Sequence, residues 1–365
     1  MLTSDLQADG AQVAIARGRL ATGLLAPAQA ASGVLVAVSG GPDSMALLEL
    51  AARWRLEAAA GAARPPLFAA TVDHGLRPDS LAEARMAADF AAARGVPHEI
   101  LHWTGDKPQT RLQERARAAR YALLAAEARR VGADFILTAH HADDQAETIL
   151  MRLVRGSAVA GLAGMAVMSP REGLTLFRPF LGVRKSALVA FCDSGGVSFV
   201  RDPSNENPRF GRTGARRLAL MLEAQGLGPH EWARLARRAA RAEAALAAAT
   251  EAALAQLPAG PASMAVLAGF PEEIAMRCLA GHVREAGGAQ IVRLERLEST
   301  WEKLCDAHRA SDALSLTLAG ARIKLDTRGS LHITTESPRR RGRGGATASS
   351  QSVHVNGENR GQLGA

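Results

Sequence analysis

The stretch AVSGGPDSMALL, residues 37–48, decides the fold of this chain. The β-branched run GVLVAV at 33–38 leads into it, and apolar residues at helical spacing follow it. Glycines between a strand and a helix let backbone N–H groups approach a ligand closely, and the helix N-terminus adds a partial positive charge. The junction therefore predicts an anion site, most naturally for phosphate.

Asp43 is the unexpected residue in this loop. A carboxylate repels a phosphate unless it holds a cation, which here means Mg²⁺ or a cationic substrate. The alternative is a tight turn in which Asp43 caps the helix. The loop lacks the GxxxxGKS/T spacing and the lysine of a Walker A motif, which excludes that class of nucleotide site.

Strand-like and helix-like segments alternate over the first 160 residues. Further strand-like runs lie at 66–74, 97–103 and 134–141. Short connections between them predict an α/β fold, a Rossmann-like parallel sheet with helices on both faces. Ligands of such sheets bind beyond the carboxyl ends of the strands. Three unusual stretches, 39–44, 73–77 and 139–148, fall at those ends.

The rest of the chain divides by its composition and pattern. We predict a sheet domain over residues 1–220 and a mainly helical module over 221–335. That module contains a long helix at 231–257 and a small β element, whose alternating pattern over 314–333 indicates hairpins. Residues 336–365 are rich in Gly, Ser and Arg and are expected to form a disordered basic tail.

Composition limits the class of protein. The net charge of +8 suits a polyanionic partner, although an Arg- and Ala-rich composition accounts for part of it. No run approaches the ~20 apolar residues that span a bilayer, so we expect no membrane association. Cys192, Cys278 and Cys305 form no CxxC pair, which argues against a zinc or iron–sulfur site. A cytoplasmic location is the expectation.

The SGGxDS loop resembles the pyrophosphate loop (PP-loop) of the N-type ATP pyrophosphatases. Other blocks resemble one group within that superfamily, the tRNA(Ile)-lysidine synthetases. These blocks are ARAARY at 116–121, VDHGLRPDS at 72–80, TAHHADDQAETILMRLVRGSAVAGLAGM at 138–165, RPFLGVRKSAL at 178–188 and RDPSNENPRFGRTGAR at 201–216. The last block carries Thr213 where the family usually has asparagine, but it keeps the arginines at both ends.

The resemblance implies a reaction. ATP activates the 2-carbonyl oxygen of the wobble cytosine in the CAU anticodon of tRNA(Ile), and the ε-amine of free L-lysine then displaces AMP. The product, lysidine, reads AUA instead of AUG and directs charging with isoleucine instead of methionine. ATP and Mg²⁺ are the implied cofactors, and a homodimer is compatible with the family.

The resemblance implies that residues 1–220 form the PP-loop ATP pyrophosphatase catalytic domain and that residues 221–335 form a substrate- or tRNA-binding module. It also assigns site residues. The ATP site comprises Ser39, Gly40, Gly41, Pro42, Asp43 and Ser44 of the loop, with Thr71 and Asp73 from the second strand. The catalytic carboxylates are Asp43, also the Mg²⁺ ligand, and Asp144, which would anchor the lysine amine and accept its proton. The tRNA and substrate contacts are Arg117, Arg120, His141, Arg201, Arg209, Arg212 and Arg216.

Simpler interpretations stand beside these assignments. Asp144 fits a helix N-terminal carboxylate that faces the helix dipole, and a histidine at a strand end is often structural. Any one arginine fits a solvated helix face, and the tail fits a dispensable extension. The rival functions are a tRNA thiolase, which usually depends on paired cysteines, a glutamine-fed synthetase, and an RNA-binding protein with a vestigial ATP site.

Overall fold

The structure, a computed structural model, describes residues 21–57, 64–76, 79–105, 107, 110, 112–200, 211–257, 262–288 and 290–336. Within these ranges the side chains of residues 21, 22 and 211–213 are left aside. The chain divides into two compact units, one ending at Glu251 and one beginning at Ala252. The predicted division at residue 220 stays a prediction.

The first unit is built on a six-stranded sheet. Its strands are β1 Val34–Ala37, β2 Leu67–Asp73, β3 His98–His102, β4 Phe135–Leu137, β5 Met168–Arg171 and β6 Leu174–Phe177. They lie in the order β3-β2-β1-β4-β6-β5, and only β5 runs antiparallel to its neighbour. The strands predicted from the sequence, β1 to β4, are confirmed.

The hairpin of β5 and β6 was not predicted, because its stretch of sequence is rich in Gly and Pro. Each strand has only four residues, too few for a pattern to stand out. Glu172 and Gly173, both at positive φ, make the turn between them. Pairing of β6 with β4, a contact distant in sequence, is what holds the hairpin in the sheet.

Nine α-helices are described in the first unit, and the last of them extends beyond Glu251, where the unit ends. They are α1 Ala21–Leu25, α2 Pro42–Leu56, α3 Ser80–Ala92, α4 Leu112–Arg130, α5 Ala142–Val154, α6 Val159–Leu162, α7 Lys185–Gly195, α8 Gly211–Glu223 and α9 Pro229–Leu254. A 3₁₀ helix, Ala26–Ala30, follows α1. The long helix predicted at 231–257 is confirmed as α9.

Helices cover both faces of the sheet, as predicted. Alternate residues of a strand point to opposite faces, so β1 contributes to two cores. Val34 and Val36 belong to the core that includes residues of α2, α3 and α7. Leu35 belongs to the core that includes Tyr121 and Leu124 of α4. Full burial of a side chain of this size stabilises the fold by about 1.5–3 kcal/mol.

The strand order places the ligand crevice. β1 pairs with β2 on one side and with β4 on the other, so the chain reverses its direction of winding at β1. A crevice opens beyond the carboxyl ends of the strands at such a switch point. The segments that leave β1 and β4, residues 38–41 and 138–141, are therefore neighbours there.

The second unit is small and mixed. It contains α10 Met264–Ala268, α11 Glu272–Ala286 and α12 Leu294–Ala310, and the strands β7 Ala262–Ser263, β8 Leu314–Leu318, β9 Ala321–Leu325 and β10 Ser330–Thr335. The strands form an antiparallel sheet in the order β7-β10-β9-β8. The mainly helical character and the small β element predicted for this region are confirmed.

Two further expectations concern the tail and the membrane. The predicted disordered tail, 336–365, lies outside the described residues from position 337 onward. Within the described ranges, no helix is both long enough and apolar enough to cross a membrane.

Candidate functional site

The loop between β1 and α2 is closed by its own serines. The Ser44 hydroxyl accepts a hydrogen bond from the Ser39 backbone N–H at 3.0 Å and donates one to the Gly41 carbonyl at 3.0 Å. Gly40 has φ +80°, a conformation that favours glycine. Pro42 occupies the first turn of the helix, where its missing N–H costs nothing. The loop therefore has a fixed shape that presents backbone toward the crevice.

Asp43 is a half-buried carboxylate with one oxygen that lacks a partner. Its Oδ1 is buried and has no hydrogen-bond partner among the described residues. Its Oδ2 lies 3.6 Å from Lys185 Nζ and 3.7 Å from His141 Nε2. Burial raises the pKa of Asp43, with a contribution from Asp144, although His141 and Lys185 oppose the shift. Such a group is suited to binding a cation, which would supply the missing contact.

His141 lies between the two predicted catalytic carboxylates. It is the N-cap of α5, and its Nδ1 accepts a hydrogen bond from the Asp144 backbone N–H at 3.3 Å. This acceptor role assigns the ring proton to Nε2. Nε2 lies 3.5 Å from Asp144 Oδ2 and 3.7 Å from Asp43 Oδ2. The buried ring thus faces the carboxylates.

Asp144 has a structural task as well as its predicted catalytic one. Its Oδ2 accepts a hydrogen bond from the His141 backbone N–H at 3.1 Å, which completes a reciprocal capping box at the start of α5. The simpler interpretation of Asp144 as a helix N-terminal carboxylate is therefore confirmed. The two roles are compatible, because the second carboxylate oxygen is not needed for the cap.

A neighbouring carboxylate, Asp143, ties α5 to α7. Its Oδ2 accepts a hydrogen bond from the Lys185 backbone N–H at 2.9 Å, and its Oδ1 lies 3.4 Å from Arg184 Nε. Arg184 also pairs with Glu223 at 2.9 Å. These contacts hold the first turn of α7 against the site and so position the side chain of Lys185 beside Asp43.

Lys185 was not among the residues predicted from the sequence. It begins α7, where a cation opposes the helix dipole. An unfavourable charge at a helix N-terminus was the signal that could have singled it out. Only the pairing of elements far apart in sequence brings its ammonium next to Asp43.

A segment after α5 is clamped by Gln145. The Gln145 amide donates to the Met165 carbonyl at 2.9 Å and accepts from the Met165 backbone N–H at 2.7 Å. Gly164, at φ +65°, leaves room for this clamp, since a Cβ there would lie 2.8 Å from the amide atoms of Gln145. Gln145 is the residue after Asp144, so the clamp steadies the turn that carries this predicted catalytic carboxylate.

Gly164→Ala is expected to lower the free energy of unfolding by about 2–3 kcal/mol. The added methyl would break the hydrogen bonds of the Gln145 clamp, and alanine would be strained in the left-handed conformation of this position. Gly173→Ala is the matched control, with φ +78° and open space around the added methyl. We expect about 1 kcal/mol for the control. Urea unfolding followed by circular dichroism checks the difference, and equal losses would remove the clamp from the explanation.

Glu147 and Arg216 connect α5 to α8. Glu147 is buried, and its Oε1 accepts a hydrogen bond from Arg216 Nε at 2.7 Å. Burial alone would lower the pKa of Arg216, but the hydrogen bond and charge of Glu147 outweigh it and raise the pKa. The Arg216 side chain remains 40% exposed. A contact of this arginine with RNA stays a prediction.

The residues predicted on the second strand already have partners. The buried Thr71 hydroxyl is within 2.9 Å of His98 Nε2. Asp73 accepts hydrogen bonds from the Gly75 backbone N–H and the Ser80 hydroxyl, at 2.8 and 2.7 Å. Burial would raise the pKa of Asp73, but these hydrogen bonds outweigh it and hold the pKa below its ordinary value. Their contribution to a nucleotide site stays a prediction.

The predicted RNA-binding arginines are described only in part. Arg117 and Arg120 both lie on the exposed side of α4, and Arg120 donates to His74 Nε2 at 3.2–3.3 Å. Arg212 lies in α8, but its side chain is not described. Arg201 and Arg209 lie outside the described residues.

One cysteine lies beside the phosphate loop, although none is close in sequence to the ends of the predicted strands. The Cys192 thiol, on α7, donates to the Pro42 carbonyl at 3.4 Å. It is fully buried, and burial, followed by the charge of Asp43, raises the pKa of this thiol to about 12. A thiolate is the nucleophilic form, so Cys192 is an unreactive packing residue.

Comparison with known proteins gives three findings. A family model described as a PP-loop domain matches residues 16–222. The tRNA(Ile)-lysidine synthase of Methylobacterium sp. strain 4-46 is 50% identical over 321 residues, which cover 85% of this chain and 91% of the relative. That of Bradyrhizobium sp. strain BTAi1 is 45% identical over 333 residues, which cover 85% and 92%.

Among solved structures, the chain is similar to the U34-tRNA thiolase NcsA from Methanococcus maripaludis. The TM-score is 0.52 at 17% identity, over 63% of this chain and 80% of the thiolase. At this level of identity the similarity shows the fold alone.

Proposed function

The chain belongs to the PP-loop domain family and to the tRNA(Ile)-lysidine synthases within it, and from this premise we propose how its residues perform the reaction. The activity is the ATP-dependent formation of lysidine in tRNA(Ile), which makes the protein a ligase that acts on RNA. The observation that supports the residue assignments is the convergence of Asp43, His141 and Asp144 at the crevice beside the loop.

The first step is adenylation of the RNA base. The wobble cytosine O2 attacks the α-phosphorus of ATP, an O–P bond forms, and the bond to the β-phosphate oxygen breaks to release pyrophosphate. The backbone N–H groups of residues 39–44, at the N-terminus of α2, are suited to hold the departing pyrophosphate. The Lys185 ammonium, 3.6 Å from Asp43, adds a positive charge beside that loop.

Asp43 fits the Mg²⁺ that the family uses. Its unpartnered Oδ1 is a free oxygen ligand, and its pKa is raised by burial that Lys185 and His141 offset only in part. Within the described residues, no group of three His, Cys, Asp or Glu is placed to hold a metal. Asp43 would therefore hold the ion together with phosphate oxygens and water, as Mg²⁺ prefers, and the ion would neutralise charge on the leaving pyrophosphate.

The second step is attack by lysine. The ε-amine of free lysine attacks C2 of the adenylated cytosine, a C–N bond forms, and the bond from C2 to the AMP oxygen breaks. The unperturbed pKa of the amine is about 10.4, so it must lose a proton before it attacks. We assign Asp144 to anchor the ammonium and accept that proton, with His141 fixing its orientation through the capping box.

The burial and spacing of the cysteines argue against the alternative that the protein is a tRNA thiolase. Persulfide chemistry needs an accessible thiolate, whereas Cys192 is buried with its pKa raised to about 12. Cys278 and Cys305 are unpaired thiols in the second unit. Unpaired thiols also fit a reducing cytoplasm as the working compartment.

The homodimer that the resemblance implies is a proposal that light scattering of the purified protein tests.

Incubation of the purified protein with ATP, Mg²⁺, labelled lysine and a CAU-anticodon tRNA(Ile) transcript tests the function. We expect lysine incorporation into the RNA and release of one pyrophosphate per lysine. The matched control is a transcript whose wobble cytosine is replaced by uracil, which should take up no lysine. Tight binding of the RNA without incorporation would favour an RNA-binding protein with a vestigial ATP site.

A further inference from the structure

Three arginine side chains converge on Tyr121, the single tyrosine of the chain. The guanidinium carbon of Arg171 lies 3.9 Å from the centre of the Tyr121 ring, and that of Arg117 lies 5.2 Å from it. Arg117 also donates to the Tyr121 hydroxyl at 3.4 Å. Arg178 is only 8% exposed and is held in place by the Ala166 carbonyl at 2.7 Å.

These positive charges are not balanced by neighbouring carboxylates. Among the described residues, Arg117, Arg171 and Arg178 form no ion pair with Asp or Glu. The Nε atoms of Arg171 and Arg178 are buried and have no hydrogen-bond partner there. Burial, with further contributions from Arg117 and Arg171, lowers the pKa of Arg178 despite the favourable effect of Tyr121.

Clustered guanidiniums of this kind are unfavourable unless something negative binds to them. Burial weakens the screening of like charges, and an unpartnered buried N–H loses its contact with water. An anion relieves both costs. The planar guanidinium donates two parallel hydrogen bonds and matches the oxygen atoms of a phosphate group, which makes phosphate the anion that the cluster fits.

The position of the cluster points to the RNA rather than to ATP. Arg178 directly follows β6, and the Phe177 carbonyl accepts a hydrogen bond from the backbone N–H of Thr138, in the segment that leads to His141. Arg178 therefore lies at the same edge of the sheet as the candidate site, whereas Arg171, paired with Leu174 at the other end of β6, reaches the Tyr121 ring only through its long side chain. Arg178 is two strands away from the loop after β1, about 10 Å at the usual strand spacing, so the phosphates of ATP held by that loop do not fill the cluster.

We propose that Arg117, Arg171 and Arg178 form a binding site for one phosphodiester group of the tRNA, next to the nucleotide whose base enters the crevice. The inference rests on the proposed function, because it assumes that an anticodon occupies this edge. The site positions the RNA backbone so that the target base reaches the α-phosphate of ATP. Arg171 and Arg178 were not predicted from the sequence as RNA contacts.

The test measures the affinity of the unmodified CAU transcript by fluorescence anisotropy over a range of NaCl concentrations. Arg171→Gln is the variant of choice, since Arg178 anchors the hairpin through Ala166 and Ser169. We expect about tenfold weaker binding and a slope of log K against log salt that is smaller by about 0.7–0.9, the value for one phosphate contact. Arg171→Lys should restore most of the slope, because it restores the charge.

Arg129→Gln is the matched control. It removes the same charge from α4, but Arg129 already has Glu172 as a partner. We expect no change of slope in this variant and an unchanged KM for ATP in both glutamine variants. The melting temperature of Arg171→Gln should be equal to or higher than that of the wild type, because the variant relieves the clustered charge. An unchanged slope in Arg171→Gln overturns the inference, as does an equal change in Arg129→Gln.

A raised KM for ATP with an unchanged slope in Arg171→Gln also overturns the inference, because it assigns the cluster to the nucleotide. The slope is a binding measurement, so it is independent of catalysis. Failure of the wild-type protein to incorporate lysine would instead reject the proposed function.

Discussion

Asp43→Asn is expected to lower lysidine formation by about 10²–10³-fold while the melting temperature stays equal or rises. The loss follows because a carboxylate that holds the cation beside the leaving pyrophosphate contributes several kcal/mol to the transition state, and each 1.36 kcal/mol is a factor of ten. The stability result follows from the pKa. Burial raises the pKa of Asp43 above its ordinary value, so the folded state holds that proton more tightly than the unfolded state.

The sign of the pH effect is therefore known. Stability due to Asp43 is lost as the pH rises through the window between the ordinary pKa and the raised one, and at neutral pH the charged group disfavours the folded state. Removing the charge with an isosteric amide relieves that cost. Many functional sites show this opposition between activity and stability.

Asp89→Asn is the matched control for Asp43→Asn, because Asp89 is an exposed carboxylate on α3. We expect wild-type activity in the control. The measurements are initial rates of lysine incorporation and thermal unfolding by calorimetry. An Asp43→Asn enzyme that keeps more than a tenth of the wild-type rate would remove Asp43 from the catalytic site. A large drop in its melting temperature would mark the residue as structural.

Asp144→Asn is expected to lower kcat/KM for lysine by about 100-fold while adenylation of the tRNA continues. The amide oxygen still accepts the hydrogen bond from the His141 backbone N–H, so the cap of α5 survives. The amide cannot pair with an ammonium or accept its proton, and general-base catalysis typically contributes 10²–10⁴-fold. Pyrophosphate release and adenylated tRNA, measured without lysine, should match the wild-type values.

Asp143→Asn separates this effect from a general loss of negative charge. Asp143 lies in the same turn of α5, but its oxygens face Arg184 and the backbone of Lys185. We expect kcat/KM for lysine to stay within severalfold of the wild-type value, with some loss of stability. If kcat/KM for lysine fell equally in both variants, the effect would come from the total negative charge in the first turn of α5. Asp144 would then be rejected as the specific anchor of the lysine.

Much of the fold and part of the site could be predicted from the sequence because they are encoded locally. The alternation of apolar runs with helical spacing predicted β1 to β4 and the helices between them, since a buried strand and an amphipathic helix have different periods. The glycines and Asp43 marked the loop, because a phosphate-binding turn with a cation explains both. Asp144 was found through its block of sequence.

Other features depend on contacts that no local pattern encodes. The order of β1 between β2 and β4 brings the loop and His141 together, and strand order follows from packing rather than from period. Lys185 lies beside Asp43 although the two residues are 142 positions apart in the sequence (185 − 43). The packing of α7 against α2 brings them together. The same packing places Cys192 behind Pro42.

The sequence by itself therefore determined the class of fold, the phosphate loop and the carboxylates that we propose as catalytic. Only the tertiary structure decided which side chains face them and which charges are left unpaired. Arg117, Arg171 and Arg178 illustrate the difference, because each looks like a solvated arginine in the sequence. The convergence of their side chains on the buried Tyr121, together with the absence of carboxylate partners among the described residues, is the basis for proposing them as a site. Burial and pairing arise from the whole fold, so they cannot be read from spacing along the chain.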